Sequence, residues 1–112
     1  MPHLVLTYSN LDSVAIKAFQ DKSAKALAQM GFAPKSIKCY AIQTSHAHIA
    51  GEDDGSFAHL TLRMINKSDR TETVQRAWLD QLNQIASDHF PHNSTLTAEA
   101  VFLPPLYRSS TR

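Results

Sequence analysis

The sequence predicts a two-layer α+β fold in which two successive β-α-β units form a four-stranded mixed sheet with both helices on one face. Three observations predict it. The hydrophobic pattern alternates between period two and period 3.6 in the same order in each half of the chain. Each helical stretch is long enough for the crossover that parallel neighbours require. A polar, glycine-bracketed segment, Ala50-Gly51-Glu52-Asp53-Asp54-Gly55, separates the halves as a turn.

Residues 2–9 form the first expected strand, with Leu4, Val5, Leu6 and Tyr8 as its β-formers. Asn10, Asp12 and Ser13 then offer helix caps. Across residues 13–30, Ile16, Phe19, Leu27 and Met30 fall near one helical stripe, with Ala15, Ser23 and Ala26 between them. Gly31 stops that helix and Pro34 marks the break. A second strand is expected over residues 36–49.

The third strand carries the clearest alternation. Ala58, Leu60, Leu62 and Met64 point one way, and Phe57, His59, Thr61 and Arg63 the other. Asp69 with Glu72 resembles a capping box for the second helix. That helix aligns Val74, Trp78, Leu82, Ile85 and His89, and Phe90-Pro91 closes it. The last strand alternates Leu96, Ala98, Ala100 and Phe102 against Thr97, Glu99, Val101 and Leu103. The expected organisation is one domain over 1–112: a unit at about 2–49, a unit at about 57–103, and an aperiodic tail, 104–112, lying on the surface or reaching a neighbour.

At 112 residues the chain has room for one modest core. A net charge of +1 gives no field that argues for nucleic acid or an anionic membrane. The lone Cys39 excludes an internal disulfide and fits a reducing compartment. No run approaches the roughly 20 apolar residues of a membrane span, and the N-terminus lacks a secretion signal. The expected location is the cytoplasm.

Helices on one face leave the other face of the sheet uncovered. Phe57 and, on the second strand, Tyr40 or Ile42 are too apolar for a bare surface. Oligomerisation through that face is therefore expected.

Pro2 precedes the first strand. If Met1 is removed, Pro2 carries a free secondary amine at the end of a sheet. A protein α-amine titrates near about 7.7–8.0, and desolvation or a nearby cation lowers that value into the range of a proton-transfer base. Read without chemistry, Met-Pro is a common start, and the proline stiffens a strand end where its missing donor costs little.

The Pro2-His3-Leu4-Val5-Leu6 opening, Gly31-Phe32 with Ile37-Lys38, the run Phe57-Ala58-His59-Leu60-Thr61-Leu62-Arg63, and an Arg70 that opens the second helix resemble the tautomerase superfamily. More narrowly, they resemble the 5-carboxymethyl-2-hydroxymuconate Δ-isomerase family, over nearly the whole chain to about residue 103. The resemblance implies a tautomerase-like homotrimer in which the N-terminal proline is the catalytic base. It implies proton transfer on a 2-hydroxymuconate-like unsaturated α-keto acid, in the catabolism of a hydroxylated phenylacetate, with no metal or organic cofactor.

Residue by residue, Pro2 matches the base, and Arg70 matches a carboxylate-binding arginine at the start of the second helix. The second family arginine aligns with Lys38, and a further basic position holds Tyr40. A guanidinium grips a carboxylate with two parallel donors, whereas an ammonium is a mobile point charge, so a dicarboxylate would be held more loosely. The chemistry itself is coherent: cations placed where enolate charge develops lower the barrier, and they also depress the base. Two other readings stand beside this one. A hydratase or dehalogenase acting on an unsaturated acid would need a carboxylate to activate water, for which Glu99 and Asp54 are the candidates. An oligomeric binding protein could use the same scaffold without turnover.

His46, His48 and His59 could meet around a zinc ion, but no carboxylate or thiol accompanies them. His46 and His48 fit a strand end, and His59 fits a hydrogen bond at a subunit interface. Cys39 reads as a small strand residue, and Trp78 as core.

Overall fold

The computed structural model describes residues 2–47 and 55–110. Strand β1 (His3–Ser9) leads to helix α1 (Ser13–Gln29), a 3₁₀ turn (Pro34–Ser36) and strand β2 (Lys38–Gln43). Strand β3 (Phe57–Met64), helix α2 (Glu72–His89) and strand β4 (Thr95–Phe102) repeat the order. The sheet runs β2-β1-β3-β4. The outer pairs are parallel and the central β1–β3 pair is antiparallel. The expected duplicated β-α-β fold is the observed one.

Helix α1 ends as its glycine requires. Gly31 adopts φ +105, a left-handed geometry that an L side chain resists. Its N–H reaches the Ala28 carbonyl at 3.2 Å, and the Phe32 N–H reaches the Leu27 carbonyl at 3.2 Å. This paired closure turns the buried Phe32 back onto the helix.

Beyond shifts of one residue, three boundaries differ from expectation. Strand β2 starts at Lys38 because Pro34 seeds a 3₁₀ turn whose Ala33 carbonyl accepts both the N–H and the hydroxyl of Ser36. It ends at Gln43, where Thr44 N–H caps the Tyr8 carbonyl at 2.9 Å. The cap of α2 is Thr71, not Asp69: its hydroxyl accepts from Val74 N–H at 3.3 Å, while a turn closing Arg70 N–H on the Lys67 carbonyl sets Asp69 outside the helix. Arg70 therefore precedes the helix rather than opening it. The turn expected at 50–55 lies, apart from Gly55, outside the described residues.

The core lies between sheet and helices. Leu4, Leu6, Leu60 and Leu62 meet Phe19 and Leu27 of α1 and Leu82 of α2. The Phe19 and Phe90 rings pack at 5.2 Å, and the half-buried Trp78 packs on Phe32 at 5.2 Å. Strand β3 alternates between half-buried and buried throughout, as its period demands. On the open face, Tyr40, Ile42 and Val101 are 39%, 51% and 38% exposed. No helix of the described residues is long and apolar enough to cross a membrane.

Candidate functional site at the N-terminal edge of the sheet

Pro2 is buried beside the first residue of β1, and its carbonyl accepts the Lys38 N–H at 3.1 Å. As a residue preceded by Met1, Pro2 carries no N–H to leave unpaired at the sheet's rim. Parallel pairing sets His3 opposite Lys38, and antiparallel pairing sets it opposite Arg63. Lys38, His3 and Arg63 thus stand side by side on the open face. Burial first, and then the charges of Lys38 and Arg63, hold the His3 imidazole below its ordinary pKa.

Arg70 reaches the same edge from the helical layer. Its Nη1 donates to the Ile65 carbonyl at 2.5 Å, one residue beyond the end of β3. Its guanidinium carbon lies 4.7 Å from the centre of the Phe32 ring. The Arg70 carbonyl accepts from Gln75 Nε2 at 2.8 Å, tying the segment to α2. Since His3 pairs with Arg63, Pro2 falls level with Met64, next to Ile65. Pro2, Lys38 and Arg70 therefore gather at one rim of the sheet, with Lys38 on the open-face side and Arg70 on the helix side.

The tail after β4 folds back over this rim. Leu103 N–H extends the ladder to the Met64 carbonyl at 2.7 Å. The Tyr107 hydroxyl and His3 Nε2 share a hydrogen bond of 3.1 Å, with the rings edge to face. Between tail and sheet lies a groove of about 550 Å³ bounded by Ile65, Asn66, Phe102, Leu103, Pro105 and Tyr107.

The other candidates lie elsewhere. Glu99 stands on the open face one row further in, 3.4 Å from the Thr61 hydroxyl and 3.3 Å from His59 Nε2. His59 also meets the Thr97 hydroxyl of the same chain at 2.7 Å. His46 follows the end of β2, whereas His48 and Asp54 lie outside the described residues. Among the described residues no three His, Cys, Asp or Glu side chains come together as a metal site. Cys39 pairs with Leu4 in the ladder, and burial pushes its thiol pKa up.

Sequence reading did not place Arg63 or Tyr107 at this rim. The alternation of β3 already assigned Arg63 to the open face, but only the register sets it across from His3. Tyr107 sits in a segment without periodicity, where no local signal announces a partner 104 positions away.

Against this geometry, the 5-carboxymethyl-2-hydroxymuconate isomerase family matches residues 2–102. The chain belongs to that family. The family match includes Pro2, Lys38 and Arg70 and ends before Tyr107. Among solved structures, a 5-carboxymethyl-2-hydroxymuconate isomerase from Deinococcus radiodurans R1 superposes with TM-score 0.79 at 23% identity, covering 98% of this chain and 90% of that one. A 5-carboxymethyl-2-hydroxymuconate delta-isomerase superposes with TM-score 0.74 at 25% identity, covering 100% of this chain and 89% of that one. A fused 4-OT described as a symmetric trimer shares the fold, with TM-score 0.69 at 18% identity over 88% of this chain and 85% of that one. No curated protein sequence matches this one.

Proposed function

We propose that this chain is a cofactor-independent isomerase that moves a proton on a 2-hydroxymuconate-like unsaturated α-keto acid, in the breakdown of aromatic compounds. Membership of an isomerase family supports the reaction class. The observation that carries the site is the gathering of Pro2, Lys38 and Arg70 at one rim of the sheet.

In this reading Met1 is removed and the Pro2 nitrogen becomes a free secondary amine. The amine accepts the proton from the enol oxygen or from an acidic carbon, and the electron pair left behind delocalises into the conjugated α-keto system. The proton then returns to a different carbon, so atoms and charge balance and the amine is regenerated. Arg70 and Lys38 hold carboxylate and stabilise the enolate charge. A buried position among cations also disfavours the protonated amine, which leaves the base free near neutral pH.

The open face, with Tyr40, Ile42 and Val101 exposed, is the surface through which copies of the chain would assemble as a homotrimer. Intact mass and ultraviolet kinetics test the chemistry together. The mature protein should lack Met1, and wild type should isomerise 2-hydroxymuconate or phenylenolpyruvate at least a hundredfold faster than Pro2→Ala. A retained methionine, or equal rates for the two proteins, removes Pro2 from the mechanism.

A further inference from the structure

We infer that copies of this chain meet head to tail: the β4 margin of one open sheet face, carrying Glu99 and Val101, packs on the β2 margin of the next, carrying Lys38, Tyr40 and Ile42. This rests on the reading that the open face assembles, and adds which margins meet and with what polarity.

The open face is not uniform. Its middle is already closed, since Val5, between Tyr40 and Thr61, is only 8% exposed. The large apolar side chains that stay exposed on this face stand on the outer strands, Tyr40 and Ile42 on β2 and Val101 on β4. Those strands also differ in charge. On this face β2 presents Lys38 and no carboxylate, whereas β4 presents Glu99 and no cation. His3, Arg63 and His59 belong to the inner strands.

Two copies can bring these margins together in three ways. A β2-to-β2 contact would gather lysines without a carboxylate, and a β4-to-β4 contact would gather carboxylates without a cation. Either one strips hydration from charges and supplies no opposite charge in return. A β2-to-β4 contact joins unlike charges and covers apolar surface on both sides. The sheet edges give a second, independent reason. Among the described residues β2 and β4 are the two edge strands. Pairing like margins leaves the other edge bare in every copy, whereas head-to-tail contacts that close into a ring cover both.

Glu99 is held ready for such a contact. Its Oε1 lies 3.3 Å from His59 Nε2 and 3.4 Å from the Thr61 hydroxyl, so the carboxylate is steered along the face. Its side chain nevertheless stays 54% exposed.

Sedimentation velocity and native mass spectrometry of the full chain test the polarity. Wild type should assemble as a trimer. Glu99→Lys and Lys38→Glu should each move dissociation to concentrations at least about tenfold higher, and the double variant should return to within about threefold of wild type. His59→Gln, which removes a neighbour of Glu99 but keeps the carboxylate, should assemble as wild type does. Far-UV circular dichroism checks that the dissociated variants stay folded, and recovery in the double variant decides the matter where a single one does not. A dimeric wild type, single variants that assemble normally, or a double variant without recovery overturns the head-to-tail contact and leaves assembly through the open face standing. A monomeric wild type overturns that assembly and the polarity with it.

Discussion

The guanidinium of Arg70 lies against the face of Phe32, 4.7 Å from the ring centre, while its Nη1 donates to the Ile65 carbonyl. A ring on one side and a carbonyl on another restrict a side chain that would otherwise sample many rotamers. The planar fork keeps further N–H donors that can face a carboxylate. Phe32 is in place because Gly31 turns the chain at the end of α1. The termination of one helix thus orients a cation that precedes the other.

Arg70→Ala should raise KM for a carboxylate substrate by roughly ten- to a hundredfold, the span of about 1.5–3 kcal/mol for hydrogen bonds to a charged group. Arg70→Lys should recover only part of the loss, since an ammonium cannot reproduce the fork. Steady-state kinetics of the three proteins decide the matter, and an unchanged KM in Arg70→Ala takes the residue out of the site.

Lys38 offers a gain-of-affinity test. Its backbone N–H bonds the Pro2 carbonyl whatever its side chain is, so Lys38→Arg should keep the rim's backbone geometry. Affinity for 2-hydroxymuconate should rise severalfold in the variant, through two parallel donors to a carboxylate. Unchanged affinity would place the side chain away from the substrate.

The His3 pKa, lowered from 6.5, couples folding to pH. The unfolded histidine binds its proton near 6.5, while the folded one does so at lower pH. Between those values the unfolded chain holds more protons, so the contribution to stability is full above 6.5 and is lost as pH falls below it. Urea unfolding of wild type and His3→Gln should therefore show a gap that changes against wild type as pH drops from about 7 towards 5. A pH-independent gap would falsify the coupling.

Two buried residues of α1 should respond with opposite sign. Ser23 is fully buried, and its hydroxyl has no hydrogen-bond partner among the described residues. Ser23→Ala removes an unsatisfied polar group and improves helix propensity, and should stabilise the protein by about 1 kcal/mol. Phe19→Ala empties a site packed against Phe90 and should cost about 3–5 kcal/mol. Thermal or urea unfolding reads both, and a destabilised Ser23→Ala would mean that the hydroxyl has a partner after all.

Much of the architecture could be read in advance because periodicity is a local property. The alternation through Ala58, Leu60, Leu62 and Met64 states which face of β3 is buried, whatever its neighbours are. Element ends were harder to read, because they depend on competing caps. Asp69 and Thr71 are both acceptable N-caps, and the turn from Lys67 to Arg70 selects Thr71. Pro34 likewise takes Ser36 out of β2 by favouring a 3₁₀ turn. The resemblance pointed to Pro2, Lys38 and Arg70, but no spacing along the chain says that these positions share a rim of the sheet.

The order of strands and helices, the buried stripes, the helix stop at Gly31 and the uncovered sheet face follow from the amino-acid order alone, because each depends on residues within one or two turns of one another. Strand register and chain return were decided only in three dimensions. Register sets Lys38 and Arg63 on either side of His3, and the tail's return brings Tyr107 onto the same imidazole. Such contacts join residues far apart in sequence, and their geometry is settled when the whole sheet closes on its core rather than by any local preference.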